Sequence, residues 1–402
     1  MHENKLRRQS MIQIKKRNLV IVIVIAAMLG SMLTFAGITF ISGQNVRISK
    51  EDYSTYKTIM NRYAKVEALY ETLNKYYYKD LDEDKLIEGM CYGLFEGTDD
   101  PYTNYMSKEE YENLMIKTTG KLEGIGVTVG ANTDGYIVVV STVKGSPAEK
   151  GGIKSGDLIV AVDDVTYKGS QLDLAVANMR GKAGSKVKVT YLRKGKSIEV
   201  NLTRASIKLD SVFSETLDNN IGYIYINSFE TDTADDFKKE LHGLEVKGVD
   251  GVVIDLRDNG GGVVESGIQV ADLLLDEGVL AYTQGKSQEK TYMNTKEGKT
   301  SLPYVLLING GTASTSEIVA AGIKDNKGGK IVGTTSFGKG VIQSMAPLKE
   351  GDAIKITVAQ YFSPKGSVIQ GIGVKPDYEV ELPEDSTADI QLNKAVELLT
   401  EK

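Results

Sequence analysis

The sequence predicts an α/β protein of several domains behind one apolar N-terminal segment. Three observations carry that expectation. The chain has 402 residues, and at roughly 100–200 residues per domain that is two or three domains. Residues 19–41 carry no charge. Beyond them the grain of the sequence changes twice. Helical spacing gives way to short β-runs near residue 119, and after Arg204 strands alternate with helices. With 41% apolar and 25% charged residues, the bulk of the chain is expected to fold.

The N-terminal elements come first. Residues 1–18 form a basic tail: Lys5, Arg7, Arg8, Lys15, Lys16 and Arg17 oppose only Glu3. The uncharged run Leu19 to Ile41 is long enough to cross a bilayer, which takes about 20 apolar residues. Basic residues just before it keep the N-terminus cytoplasmic. The expectation is therefore a single-pass anchor in the cell membrane, with everything after Ile41 extracytoplasmic. A cleaved signal peptide is the competing reading. Its apolar stretch normally runs about 7–15 residues and ends in a small-x-small site, which Ile38 to Gln44 fits poorly.

Residues 42–118 read as largely helical. Tyr56, Ile59, Met60, Tyr63, Val66, Leu69, Tyr70 and Leu73 recur at spacings of three and four, one apolar stripe. A second helix is expected around Lys85 to Phe95, then a turn at Thr98 to Pro101. Residues 119–203 read as a small α+β domain. Its strand-like runs are Gly124–Gly130, Tyr136–Val140, Asp157–Val162 and Lys186–Leu192, and Leu172–Arg180 reads as a helix. Residues 204–383 read as an α/β core. The short apolar runs Val252–Ile254 and Tyr304–Ile308 suit strands buried on both faces. Residues 384–402 end in a helix from Ala388.

Composition excludes several chemistries. The first 17 residues carry a net charge of +5 and the remainder −11. An acidic body argues against nucleic acid as a partner. Cys91 is the only cysteine and His2 and His242 the only histidines, so a multi-Cys or His-cluster metal site has no ligands. His242, at the charged end of a helix, reads as a surface residue rather than a base. No metal and no cofactor is expected.

Three segments remain that can carry chemistry. The strand Val305–Ile308, the turn Asn309-Gly310-Gly311 and then Thr312-Ala313-Ser314-Thr315-Ser316-Glu317 place Ser314 at a strand-to-helix junction. Helix N-termini offer free N–H groups to an oxyanion. The same residues also spell a capping box. Gly333 to Gly340 nearly spells a phosphate loop, but Gly340 stands where Ser or Thr would hold magnesium, and no helix pattern follows. Lys339 in that turn is either a solvated lysine or a general base for Ser314, its charge disfavoured by burial. Gln343, four residues on in an assumed strand, would share its face and could hold the amine. Asp255-Leu256-Arg257-Asp258-Asn259-Gly260-Gly261-Gly262 is either a tight turn or an approach for backbone N–H groups. Arg257 makes salt bridges the simpler use of Asp255 and Asp258.

Together these segments resemble the carboxyl-terminal processing peptidases, also called tail-specific proteases. Asp99-Asp100-Pro101-Tyr102 with Tyr105-Met106-Ser107 looks like the family's lead-in. Gly124-Ile125-Gly126-Val127, Ser146-Pro147-Ala148 and Gly156 to Ile159 resemble a PDZ domain. Asp255 to Gly262 looks like D-L-R-x-N-x-G-G, and Thr312 to Glu317 stands where the family has S-A-S-A-S-E. Phe337 to Gly340 with Gln343 resembles its lysine motif. Tyr361, Pro364, Gly366, Gly373 and Pro376-Asp377 resemble its closing strands.

The resemblance implies a serine endopeptidase with a crotonase-like α/β core. In it Ser314 is the nucleophile, Lys339 the base and Gln343 its orienting partner. The oxyanion donors would be the N–H groups of Gly261 and Thr315. Gly124, Ile125, Gly126 and Val127 would bind the free C-terminus of a protein or peptide substrate. It also implies gating by the PDZ domain and a homodimer formed through the helical region. An inactive PDZ tether and acyl-CoA chemistry are the rival functions. Intact Ser314, Lys339 and Gln343 weigh against the first, and the PDZ-like segments against the second.

Overall fold

The computed structural model describes residues 15–44, 48–383 and 388–401; most of the expected basic tail lies outside them. The chain divides into two compact units, residues 1–86 and 87–402. In the first, α1 (Lys16–Gln44) is long and apolar enough to cross a membrane, which suits an anchor or a signal sequence. Next comes α2 (Lys50–Tyr76), capped by Ser49, whose hydroxyl accepts the Asp52 N–H. The predicted stripe is on its surface: Tyr56, Ile59, Met60, Tyr63, Val66, Leu69 and Leu73 are all exposed.

The second unit takes in most of α3 (Glu83–Glu96), then β1 (Asn104–Met106) and α4 (Lys108–Thr119). A full capping box at Ser107 and Glu110 starts α4, and left-handed Gly120 stops it. β2 (Lys121–Gly124) pairs antiparallel with β9 (Ala205–Lys208) as a two-stranded stem. On that stem sits a small module of β3 (Val127–Ala131), β4 (Ile137–Thr142), β5 (Leu158–Val162), β6 (Val165–Thr166), β7 (Lys186–Arg193) and β8 (Lys196–Thr203), with α5 (Pro147–Lys150) and α6 (Leu172–Met179). Its order β3-β4-β5-β7-β8 leaves β3 at an edge. Ile125, Ile137, Val139, Ile159, Val189 and Tyr191 fill its core.

The remaining chain builds two sheets. The first has the order β10-β11-β12-β15-β16-β19, from β10 (Val212–Thr216), β11 (Ile221–Ile226), β12 (Gly251–Asp255), β15 (Tyr304–Ile308), β16 (Lys330–Gly333) and β19 (Tyr378–Glu379). All its pairs are parallel except β10 with β11. β12 and β15 are buried along their whole length, as the apolar runs Val252–Ile254 and Tyr304–Ile308 within them require. One face packs on α7 (Thr233–Lys247), α8 (Val264–Asp272) and α9 (Thr315–Asn326). The other face packs on α10 (Ile390–Thr400). Arg257 ties that helix down, bridging Asp255 at 2.6 Å and Asp389 at 2.8 Å.

The second sheet is antiparallel: β13 (Gly278–Gly285), β14 (Lys290–Thr295), β17 (Val341–Pro347) and β18 (Ala353–Phe362), completed by β1. Residues 42–118 read as largely helical in the sequence; β1 is a short strand which that reading does not name. Asn104–Met106 pairs with Lys355–Ala353, some 250 residues further on. A three-residue strand, buried at both Tyr105 and Met106, carries no period long enough to read.

Candidate active site

The strand-to-helix junction holds Ser314 in a strained conformation, φ 57° and ψ −120°. A non-glycine residue at positive φ costs energy and persists only when its surroundings over-determine it. They do so here. The Thr312 hydroxyl donates to Leu256 O at 2.7 Å and accepts the Asn309 N–H. The Ala313 N–H and the Ser316 hydroxyl both donate to Asn259 O at 3.0 Å. The Thr315 hydroxyl donates to Gly262 O at 2.9 Å. The segment 255–262 is thus a clamp on the serine turn. Gly261, at φ 93°, passes so close that a Cβ there would lie 2.8 Å from Ser314 Cβ.

Lys339 comes to the same place through one carboxylate. Glu317 is fully buried in the first turn of α9. Its Oε2 accepts the backbone N–H groups of Ser314 and Lys339, both at 2.8 Å. Its Oε1 accepts the Gly338 N–H at 2.7 Å and the Ser336 hydroxyl at 2.6 Å. Tyr361, wholly buried on β18, sets its hydroxyl against the carbonyl oxygens of Ser314 and Lys339. Burial, then the Glu317 charge, pushes the Tyr361 pKa far up, so the phenol keeps its proton. In the sequence Glu317 reads as a helix cap and Tyr361 as a strand residue. Only the fold shows that both join the two loops.

The Lys339 side chain is half-buried. Burial lowers its pKa below the ordinary 10.5, and Lys355 lowers it further, while Glu317 and Asp100 oppose the shift. Among the described residues no hydrogen bond joins the Lys339 amine to the Ser314 hydroxyl. The amine instead lies over the Tyr102 ring, 4.8 Å from its centroid. His242 stands at the surface beside Glu245, its side chain 74% exposed.

Residues 220–380 match Peptidase family S41, residues 124–203 a PDZ domain, and residues 27–110 the N-terminal domain of the activating protease CtpB. The chain is 37% identical over 373 residues to the carboxy-terminal processing protease CtpA of Bacillus subtilis (strain 168), covering 92% of this chain and 78% of that one. It is 34% identical over 342 residues to CtpB of the same organism, covering 83% and 71%. The chain belongs to the carboxy-terminal processing proteases of peptidase family S41. It is a serine-type peptidase with a PDZ domain.

Two of the residues that the processing-protease motifs single out sit differently from expectation. Gln343 was expected to share a strand face with Lys339. β17 begins at Val341, so Lys339 lies in the loop before it, and the register shifts between Ile342 and Gln343. The Gln343 amide donates to the Thr357 hydroxyl at 3.4 Å. Gly261 was expected to offer its N–H to an oxyanion. That N–H instead donates to the Asn259 side chain at 2.8 Å. The Thr315 N–H, first in its helix, makes no hydrogen bond among the described residues.

The PDZ loop lies between β2 and β3. Its carbonyls turn inward: Ile125 O accepts the Ala148 N–H at 2.8 Å, and Gly126 O the Val143 N–H at 3.0 Å. Gly126 has φ 77°, and a Cβ there would meet Ser146 Cβ at 2.5 Å. The N–H groups of Ile125 and Gly126 have no backbone partner among the described residues, and Val127 opens edge strand β3.

Proposed function

We propose that this protease cuts extracytoplasmic proteins presented by their C-terminal tails, through a Ser314–Lys339 dyad. The observation that carries the reading is the Glu317 carboxylate, one oxygen of which holds the backbone of both residues. Neutral Lys339 takes the Ser314 proton as Oγ bonds to the scissile carbonyl carbon. The carbonyl electron pair moves to oxygen and meets the Thr315 N–H at the positive end of α9. The resulting ammonium then protonates the leaving amine as the C–N bond breaks, and water releases the acyl group from Ser314. Gln343 is the orienting partner implied by the family motif, with Thr357 its resting acceptor.

The unpartnered N–H groups of Ile125 and Gly126 support a cradle for the substrate carboxylate, with Gly124 and Val127 flanking it. Edge strand β3 supports pairing with the tail as an added strand. The helix α1 supports a membrane anchor with the N-terminus cytoplasmic. The exposed stripe of α2 supports pairing of two copies through the helical region. The layered parallel core supports the crotonase-like reading.

The test uses the full chain in detergent and a reporter protein with an apolar C-terminal tail. Wild type is expected to cut it, while Ser314→Ala and Lys339→Ala lose at least about 10³-fold in rate. A Ser314→Ala protein that cuts at the wild-type rate would refute the proposal.

A further inference from the structure

The lead-in before α4 supplies groups that this mechanism leaves unused. Asp100 to Thr103 form a turn in which the Tyr102 N–H and the Thr103 hydroxyl both donate to the Asp100 carboxylate, at 3.0 and 2.7 Å. The Thr103 oxygen accepts the Thr357 N–H at 2.9 Å. β1 follows at once and pairs with β18. The turn is therefore fixed to the strand that also receives the Gln343 amide, at the same Thr357. Its product is the Tyr102 ring lying 4.8 Å from the Lys339 amine. Asp100 brings a carboxylate whose charge acts on that amine.

We infer that Tyr102 and Asp100 form a seat for the Lys339 ammonium, as positioning residues that hold it between proton transfers. The inference rests on the Ser–Lys reading and deepens it. The base must be neutral to accept the serine proton, yet it must carry charge until the leaving amine takes that proton. Burial and Lys355 on β18 favour the neutral form; Glu317 on α9 and Asp100 favour the cation. An aromatic face attracts a cation and is indifferent to a neutral amine. Against the upward push of its own burial, hydrogen bonds from Thr357, Tyr102 and Thr103 and the Lys339 charge hold Asp100 below the ordinary carboxylate range. It is therefore ionised wherever the enzyme works.

The experiment reads Lys339 itself. The full chain in detergent is labelled with trace acetic anhydride across a pH series, and acetylation of Lys339 is quantified by mass spectrometry beside the cleavage profile. Tyr102→Leu is expected to move the labelling midpoint and the acid limb of cleavage down together, by roughly half a unit to one unit. Asp100→Asn, which keeps an acceptor for the Tyr102 N–H, is expected to move both in the same direction. Tyr102→Phe keeps the ring and should keep the wild-type midpoint. Unmoved midpoints in Tyr102→Leu and Asp100→Asn would overturn the seat, even where cleavage falls equally at every pH. A Lys339→Ala protein that cleaves at the wild-type rate would overturn the Ser–Lys reading instead, since the labelling midpoint reports the seat without any cleavage.

Discussion

The serine side and the lysine side of this site are built to different standards. Ser314 sits in a strained turn fixed by five elements of hydrogen bonding, from Leu256, Asn259, Gly262, Glu317 and Tyr361. Lys339 has a fixed backbone, but its side chain rests on an aromatic face, and Gln343 rests on a long bond to Thr357. β17 is exposed over most of its length and its register shifts at Gln343. The difference teaches where control can act. On the proposed dyad, the nucleophile would be prepared in advance, and the base would be the part on which control acts. That is economical in a protease, because misplacing one reacting group by about 1 Å can cost about 10²-fold in rate.

Glu317→Ala should have the largest effect, because it dissolves the rigid half. Four donors would lose a buried acceptor: the N–H groups of Ser314, Gly338 and Lys339 and the Ser336 hydroxyl. At about 1–3 kcal/mol for each buried unsatisfied group, a loss of at least about 3 kcal/mol is expected in chemical denaturation, with cleavage down by more than about 10²-fold. Near-normal cleavage would mean that the carboxylate does not couple the two loops. Gln343→Ala tests the adjustable half and should do less. Its amide makes one long contact on an edge strand, so stability should change by under about 0.5 kcal/mol. Cleavage should fall about tenfold through kcat, with KM unchanged. A large stability loss there would erase the contrast between the halves.

The parallel core was legible because β12 and β15 are built on the short apolar runs Val252–Ile254 and Tyr304–Ile308, which fall where the pattern puts them. The antiparallel sheet was not. Along β18 only Ala353 and Tyr361 are fully buried, and polar residues alternate with exposed Ile356 and Val358. The second hairpin arm of the PDZ domain, β8, was hidden in the same way, with only Leu202 buried. At the site, Ser314 and Lys339 were readable as motif positions. Their connection was not, because a glutamate that caps a helix and one that joins two loops look alike in a sequence. Gln343 was misplaced for a related reason: a shift of register leaves no mark in residue spacing.

The central claim is that Lys339 activates Ser314. It is tested most directly by the rate at which a fluorophosphonate labels Ser314 in the full chain, wild type beside Lys339→Ala, across a pH series. Because Lys339 must lose its proton to act, and burial lowers its pKa below the ordinary 10.5, the wild-type rate should climb with pH to a plateau, with its midpoint below that value. Lys339→Ala should label at least about 10²-fold more slowly and lose the climb. Equal labelling of the two proteins at every pH would contradict the account.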